Sequence, residues 1–363
     1  MQTYPVATIN LSALKHNLSR VKQLAPNSHV MSVIKANAYG HGAVDVAHAL
    51  AESDAFAVAR LAEGVQLRES GIKQPIVILE GVNTASDMVI ASEHSLSLVF
   101  HNELQIELLT QVSLAKPLCF CWLMVETGMH RLGLPVEKVD DALIALSANE
   151  NIADSVGLMS HFANADLIGD VRNKQQLEQL NQLALKHGRP TSMANSAAIL
   201  SYPESHGHWL RPGLMLYGIS PFEDKTAPEL GLHTVMNFQS VITAIQALKV
   251  GDQVGYGGSW IAESDMKVAI VSIGYADGYS RQLSNSGMVL IQGKRAAVLG
   301  RVSMDMIAID ISHLSYATIG DKVTLWGDGL PVEYIAAQAN TISYELVCQV
   351  SQRVIREYHN GQA

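Results

Sequence analysis

Cysteine is scarce in this chain: three in 363 residues, at Cys119, Cys121 and Cys348. An odd count, with two of the three lying two positions apart in an apolar run, supports no disulfide framework, and Cys119 and Cys121 are expected as buried strand residues. Charge is sparse too. Charged residues make up 16% of the chain, and 25 Lys and Arg face 34 Asp and Glu for a net charge of −9. That shortage of positive charge excludes a general surface for phosphate backbones, although a local site for a small anion remains open. No apolar run reaches the ~20 residues that a membrane-crossing helix needs; the longest, residues 117–125, is about half that. The first residues lack the basic start and apolar core of a signal peptide, so a cytoplasmic protein is expected. Low-complexity tracts and repeats of ~20–50 residues are also missing.

What is there describes an ordinary folded protein of enzyme size. Hydrophobic residues make up 48% of the sequence, far from the profile of disorder. The length allows two domains, or one large barrel with an appendage. Over the first two thirds, short β-branched or apolar runs alternate with polar turns and stretches of helical spacing. Eight strands are expected at residues 29–34, 55–59, 75–79, 97–100, 118–125, 156–160, 191–194 and 208–210. Helices are expected at 43–52, 61–70, 102–113, 137–147 and 171–187. Connections this short force parallel crossovers, and eight βα units over ~220 residues match a closed (β/α)8 barrel.

After about Gly231 the grammar changes to short runs at residues 240–248, 267–273, 289–291, 296–298, 306–310 and 322–326, separated by Gly, Asp and Ser turns. The expected fold class is therefore α/β: an N-terminal TIM-like barrel over residues 1–232 and a mainly-β domain over 233–363. The first few residues are expected to pack with the second domain. A little helix or turn is expected at residues 334–339 and 342–344.

A parallel barrel presents its reactive groups at the C-terminal ends of its strands. Strand one ends in Val33-Ile34-Lys35-Ala36-Asn37-Ala38-Tyr39-Gly40-His41-Gly42; later strands lead to Arg131, His161, Asn195-Ser196 and Arg211-Pro212-Gly213. A lysine in a partly desolvated mouth has a lowered pKa, and its neutral amine can form a Schiff base with an aldehyde or ketone. Gly213 and Leu214 can open a short helix whose free N–H groups would cradle a phosphate, with the Ser196 and Tyr39 hydroxyls nearby. Barrels commonly carry phosphate sites, and it is the adjacent lysine that points to pyridoxal phosphate.

The segment around Lys35 closely resembles the cofactor-lysine motif of bacterial alanine racemases. Further blocks match in order: Thr127-Gly128-Met129-His130-Arg131-Leu132-Gly133, Ser160-His161-Phe162-Ala163, Ala194-Asn195-Ser196-Ala197, Arg211-Pro212-Gly213, Val254-Gly255-Tyr256-Gly257, Gly274-Tyr275-Ala276-Asp277-Gly278-Tyr279 and Val302-Ser303-Met304-Asp305. The resemblance implies a barrel that binds pyridoxal 5'-phosphate, followed by a β domain, in a head-to-tail homodimer whose C-terminal domains each complete the other subunit's site. Lys35 would hold the cofactor and serve as the base on the D-substrate face, and Tyr256 of the partner subunit would serve on the L-substrate face. Two bases are needed because one fixed base does not easily reach both faces of a carbon. His161 and Arg211 would tune the tyrosine, whose ordinary pKa of ~10 makes it a poor base. Arg211 would also face the pyridine nitrogen and, with a pKa above ~12, leave it unprotonated, making the cofactor a weaker electron sink.

By the same resemblance, Tyr39, Asn195, Ser196, Gly213, Leu214 and Tyr344 would bind the cofactor. Arg131, helped by the Met304 N–H of the other subunit, would bind the substrate carboxylate or the cofactor's phenolic oxygen. Tyr275, Asp166, Arg281 and Arg301 would line the entrance, with Tyr275 restricting the side chain to something near a methyl group. One position departs from the family pattern. Many members carry a carbamylated lysine seven residues before the active-site arginine, and here that position is Met124, which cannot be carbamylated and leaves Arg131 to be held by something else.

The histidines and the Cys119-Phe120-Cys121 triplet lack metal-ligand spacing, so no metal site is expected. Gly255, Gly257, Gly274 and Gly278 surround tyrosines instead of forming a strand–GxGxxG–helix unit, which excludes a dinucleotide site. Alternatives are a broader-specificity or serine racemase of the same fold, a single-barrel protein that binds pyridoxal phosphate without catalysis, and a decarboxylase. The single-barrel reading has no use for residues 233–363, and the decarboxylase would place a carboxylate where Arg211 stands.

Overall fold

The computed structural model describes residues 5–314 and 316–360; Met1–Tyr4, part of the segment behind the expectation of no signal peptide, lie outside them. Strand β1 (Val6–Asn10) is followed by eight strands that close a barrel in chain order: β2 (His29–Val33), β3 (Ala55–Val58), β4 (Ile76–Ile78), β5 (Ser97–Phe100), β6 (Trp122–Met124), β7 (Gly157–Met159), β8 (Thr191–Ser192) and β9 (Trp209–Leu210). Neighbours run parallel, and His29 opposite Trp209 closes the ring. Helices cover the outside, so these strands are buried on both faces and carry continuous apolar runs such as the wholly buried Ala-Phe-Ala-Val of β3. Fit inside the barrel is tight: a Cβ at Gly157 would come within 2.5 Å of the Trp122 ring.

The expected strand at residues 118–125 is shorter in the structure. Phe120 takes φ +57°, which turns the chain and limits regular pairing to β6, with isolated bridges at Leu118 and Val125. That turn also corrects the expectation for Cys119, which is exposed, whereas Cys121 is buried as expected. The helix Ala85–Glu93, capped by Thr84 Oγ1 on the Asp87 N–H, was not expected.

The second unit is mainly antiparallel. Its strands are β10 (Met236–Leu248), β11 (Gln253–Val254), β12 (Trp260–Ile261), β13 (Met266–Val271), β14 (Met288–Ile291), β15 (Lys294–Leu299), β16 (Ile307–Asp310), β17 (Lys322–Trp326) and β18 (Ile355–His359). Eight strands line up as β13-β16-β15-β14-β17-β10-β1-β18, and β10 also pairs with β13. The chain thus starts in the sheet where it ends: β1 runs antiparallel to β10 and parallel to β18. Buried Asn17, on the helix Leu11–Leu24, pins the junction by donating to Leu216 O at 3.0 Å and His233 O at 2.9 Å while accepting the His233 N–H at 2.8 Å. The helices Val332–Gln338 and Ser343–Gln349 pack against each other, and the second packs against the segment Lys35–Tyr39. Among the described residues no helix is long and apolar enough to cross a membrane.

Candidate active site

Strand β2 delivers the chain to the barrel mouth, where Lys35 opens a left-handed helical turn. Ala36, Asn37, Ala38 and Tyr39 all have φ between 51° and 53°, and Gly40 follows at φ +80°. Asn and Gly tolerate this region; for Ala and Tyr it costs ~1–2 kcal/mol per residue, so the surroundings must over-determine the turn. Glu63 Oε1 accepts the Ala36 N–H at 2.6 Å, and Asn37 Oδ1 accepts that of Ala43 at 2.9 Å. His41 Nδ1 lies 2.9 Å from Tyr39 O and 3.1 Å from Ala38 O. Carbonyls only accept, so the ring proton sits on Nδ1. Burial lowers the His41 pKa to about 4 and keeps the ring neutral.

Lys35 itself is partly buried. Burial and then the Arg131 charge lower its pKa, while Glu80, Glu63 and Cys348 oppose them. An amine so placed is neutral more of the time and thus a better nucleophile and base.

Across the mouth, Ser196 Oγ accepts the N–H groups of Gly213 at 3.0 Å and Met215 at 3.2 Å. This corrects the expectation for Gly213, whose N–H does not stand free but is satisfied by the serine, whose own hydrogen is left to point elsewhere. The Tyr39 hydroxyl reaches the same place, because a Cβ at Gly213 would sit 2.7 Å from it. The Tyr39 ring packs 4.9 Å from Tyr217 and 5.8 Å from Tyr344. Asn195 caps the helix Ser196–Ser201 through the Ala198 N–H, and buried Leu214 opens the 3₁₀ turn Leu214–Tyr217.

Arg211 is buried beneath these groups. It donates to Ser192 Oγ at 2.6 Å, to Ser160 O, and to His161 Nδ1 at 3.2 Å. Burial and then Arg131 lower its pKa to about 9, so it stays charged at neutral pH. An arginine can only donate, so His161 Nδ1 accepts and its Nε2 carries the hydrogen. Burial, then Arg211, Arg131 and Lys35, hold the His161 pKa well below 6.5; the imidazole is neutral.

Arg131 is exposed on the loop that follows β6. The loop is braced by Glu126, whose carboxylate accepts the N–H groups of Gly128 and, at 2.7 Å, His130. No hydrogen bond or ion pair to the Arg131 guanidinium exists among the described residues, and buried Met124 offers it no polar side-chain atom. On the opposite side, Asp166 acts on the Tyr344 phenol, whose pKa burial pushes up to about 12. Both line a cavity of about 1030 Å³ together with His41, Asn195 and Leu214.

The remaining candidates gather elsewhere, on the β domain. Tyr256, 69% exposed, begins the turn between β11 and β12. A Cβ at its neighbour Gly257 would fall 2.9 Å from Arg301 Nη1. The Tyr275 N–H donates to Ser303 O and that of Ala276 to Met304 O, both at 3.0 Å. Arg281 donates to Val302 O at 3.1 Å and lies 5.9 Å from the Tyr275 ring centre. Tyr256, Tyr275, Arg281, Arg301 and Met304 therefore form one contiguous exposed cluster. None of them is among the groups that act on Lys35.

Two family models match the chain: alanine racemase, N-terminal domain, over residues 9–221, and alanine racemase, C-terminal domain, over residues 235–358. The chain belongs to the alanine racemase family. The alanine racemase of Nitrosococcus oceani is 46% identical over 353 residues, which is 97% of this chain and 99% of that protein. The biosynthetic alanine racemase of Salmonella typhimurium is 42% identical, with 96% and 98% covered. The crystal structure of the biosynthetic alanine racemase from Pseudomonas aeruginosa matches with a TM-score of 0.94 at 42% identity, covering 98% of this chain and 100% of that one.

Within this alanine racemase fold, sequence reasoning missed Glu63, His41, Glu80 and Cys348. Glu63 had a local signal, since it lies three residues after Arg60 at the head of the helix Leu61–Glu69 and accepts the Ala59 and Arg60 N–H groups, both at 2.9 Å. His41 and Cys348 had none, because their roles depend on a left-handed turn and on a helix far away in the chain.

Proposed function

We propose that this protein interconverts L- and D-alanine with bound pyridoxal 5'-phosphate, as a cytoplasmic homodimer with shared active sites, supplying D-alanine for peptidoglycan or serving alanine catabolism. The family is one that depends on this cofactor, and the barrel mouth fits it: a depressed-pKa lysine at one end, and at the other a glycine whose missing side chain leaves space beside the Tyr39 and Ser196 hydroxyls. Bound there, the cofactor supplies the electron sink that acidifies the α-carbon of an amino acid. The residues do the rest. Lys35 holds the cofactor and, once released, moves a proton on one face. Ser196, Tyr39, Asn195, Gly213, Leu214 and Tyr344 hold the phosphate end.

Buried, charged Arg211 beside neutral His161 is the observation that carries this reading. A fixed guanidinium in that place donates to an acceptor without surrendering its proton, which limits the sink and favours return of a proton to the α-carbon over side reactions such as transamination. Arg131 takes the substrate carboxylate, with Met304 of the second subunit. The chain divides near residue 232. The Tyr256 cluster lies on the β domain and none of its titratable groups acts on Lys35, which supports a β domain serving the other subunit's site: Tyr256 moves the proton on the opposite face, and Tyr275, Arg281 and Arg301 meet Asp166 at the entrance.

Borohydride treatment followed by peptide mapping tests the assignment, and the reduced pyridoxyl group is expected on Lys35; its appearance on another lysine would refute the mechanism. Lys35→Ala is expected to lose nearly all turnover, and Tyr256→Phe chiefly α-hydrogen exchange from L-alanine. Wild-type activity in Tyr256→Phe would remove it as a base. Met124, which leaves Arg131 unpartnered, favours a second reading with broader specificity. The ratio of kcat/KM for alanine, serine and lysine separates the two, and a preference for serine or lysine would overturn the alanine assignment.

A further inference from the structure

The left-handed turn that carries Lys35 and Tyr39 ends in carbonyls that the turn itself leaves without partners, because a left-handed helix of L-residues does not continue. Strand β18 supplies partners for two of them. Arg356 Nε donates to Gly40 O at 2.7 Å, and the Tyr358 hydroxyl donates to His41 O at 3.2 Å. The other guanidinium nitrogens turn the opposite way: Nη2 donates to Val350 O at 2.9 Å, and Nη1 to Ser351 O and Val354 O at 3.4 Å. Val350 caps the helix Ser343–Gln349, which bears Tyr344 and Cys348. One side chain therefore joins the turn of Lys35 and Tyr39 to the end of the helix of Tyr344.

The turn and the helix also touch through backbone, since a Cβ at Gly40 would meet Val347 O at 2.0 Å; the turn meets β18 as well, since a Cβ at Gly42 would meet the Tyr358 hydroxyl at 1.9 Å. A strained turn persists only while its surroundings hold it, and a planar fork of five donors suits one that must bind carbonyls on two sides at fixed angles. We propose that Arg356, with Tyr358 in a lesser part, is a positioning residue that clamps the Lys35 turn against the Tyr344 helix and so sets the lysine amine relative to the phosphate end of the site. The proposal rests on the reading of Lys35 as the cofactor lysine for its catalytic consequence, but not for its structural one.

The test uses the full-length protein and amide hydrogen exchange, with Arg356→Met, Arg356→Lys and Tyr358→Phe. In Arg356→Met, exchange in peptides covering residues 36–42 is expected to rise at least tenfold relative to peptides covering β3 and β4. Release of pyridoxal phosphate is expected to quicken by about tenfold, and kcat to fall by a similar factor while KM for alanine changes less than twofold, since Arg131 is untouched. Arg356→Lys, which keeps one donor for Gly40 O, should recover part of each change. A rise confined to residues 36–42 with cofactor release unaltered would uphold the clamp and overturn the assignment of Lys35. Exchange in that segment no faster than in β3 and β4, or no recovery at all in Arg356→Lys, would overturn the clamp. Should Arg356→Met fail to fold, Arg356→Lys decides, since it cannot bind carbonyls on both sides: faster exchange limited to residues 36–42, with a smaller rise in Tyr358→Phe, supports the proposal, and unchanged exchange there in Arg356→Lys refutes it.

Discussion

Two side chains at the barrel mouth owe their state to what surrounds them, and both make predictions. Arg131 has no partner where a carbamylated lysine would stand in many relatives, because Met124 is buried and apolar. Turnover is therefore expected to be the same in bicarbonate-free and bicarbonate-rich buffer, and intact mass to show no carbamate; density for a carbamate touching Arg131, or stimulation by bicarbonate, would refute this. His41 concerns stability. Its pKa falls from 6.5 to about 4, first through burial, against two backbone hydrogen bonds that pull upward and with the Arg356 charge adding a little. The unfolded chain then takes up a proton that the folded one refuses. The stability linked to His41 is present above pH ~6.5 and lost as the pH falls through about 4, with about 3 kcal/mol at stake; His161, shifted the same way, adds to the loss. Denaturant midpoints measured from pH 7 to 4 should fall, and more gently in His41→Gln; equal slopes would refute the assignment. The identities of Lys35, Arg211 and His161 were legible from their place after apolar runs. That His161 carries its hydrogen on Nε2 was not, since only the contact with Arg211 decides it.

At the level of elements, the strands of the barrel stood out because burial on both faces leaves continuous apolar runs, and each of the eight expected runs contains one observed strand. Boundaries were less legible. Phe120 turns the chain inside a run that looks unbroken, and β18 escaped notice because Ile-Arg-Glu-Tyr-His has no apolar run and, like β1, gains its meaning only by pairing within the sheet. The Lys35 turn is the element that propensity argues against, since three of its four positive-φ residues are Ala or Tyr. Packing holds it. Gly40→Ala adds a Cβ within 2.0 Å of Val347 O at φ +80°, and because the obstacle is backbone the expected cost is roughly 3 kcal/mol or more. Chemical denaturation of the variant checks this, and a loss below about 1 kcal/mol would mean that the turn gives way easily.

Across the whole molecule, the candidate residues fall on two units: Lys35 with Arg211, His161, Ser196 and Tyr39 on the barrel, and Tyr256 with Tyr275, Arg281, Arg301 and Met304 on the β domain. If two chains exchange these halves, Lys35→Ala and Tyr256→Phe damage different halves of each site. Unfolding and refolding an equal mixture of the two variants should then restore about a quarter of wild-type activity, because half the dimers are mixed and each of those holds one intact site. No restoration in a mixture shown to contain mixed dimers would sink the shared site. By itself the sequence determined the (β/α)8 barrel, the change to a β domain and the reactive residues at the strand ends, because burial periodicity and strand-end position are local properties. Tertiary structure alone decided the left-handed turn at Lys35, the neutral tautomer of His161 and the return of the last strand to meet the Lys35 turn. Those depend on contacts between residues from about thirty to more than three hundred positions apart, and no local window of sequence contains them.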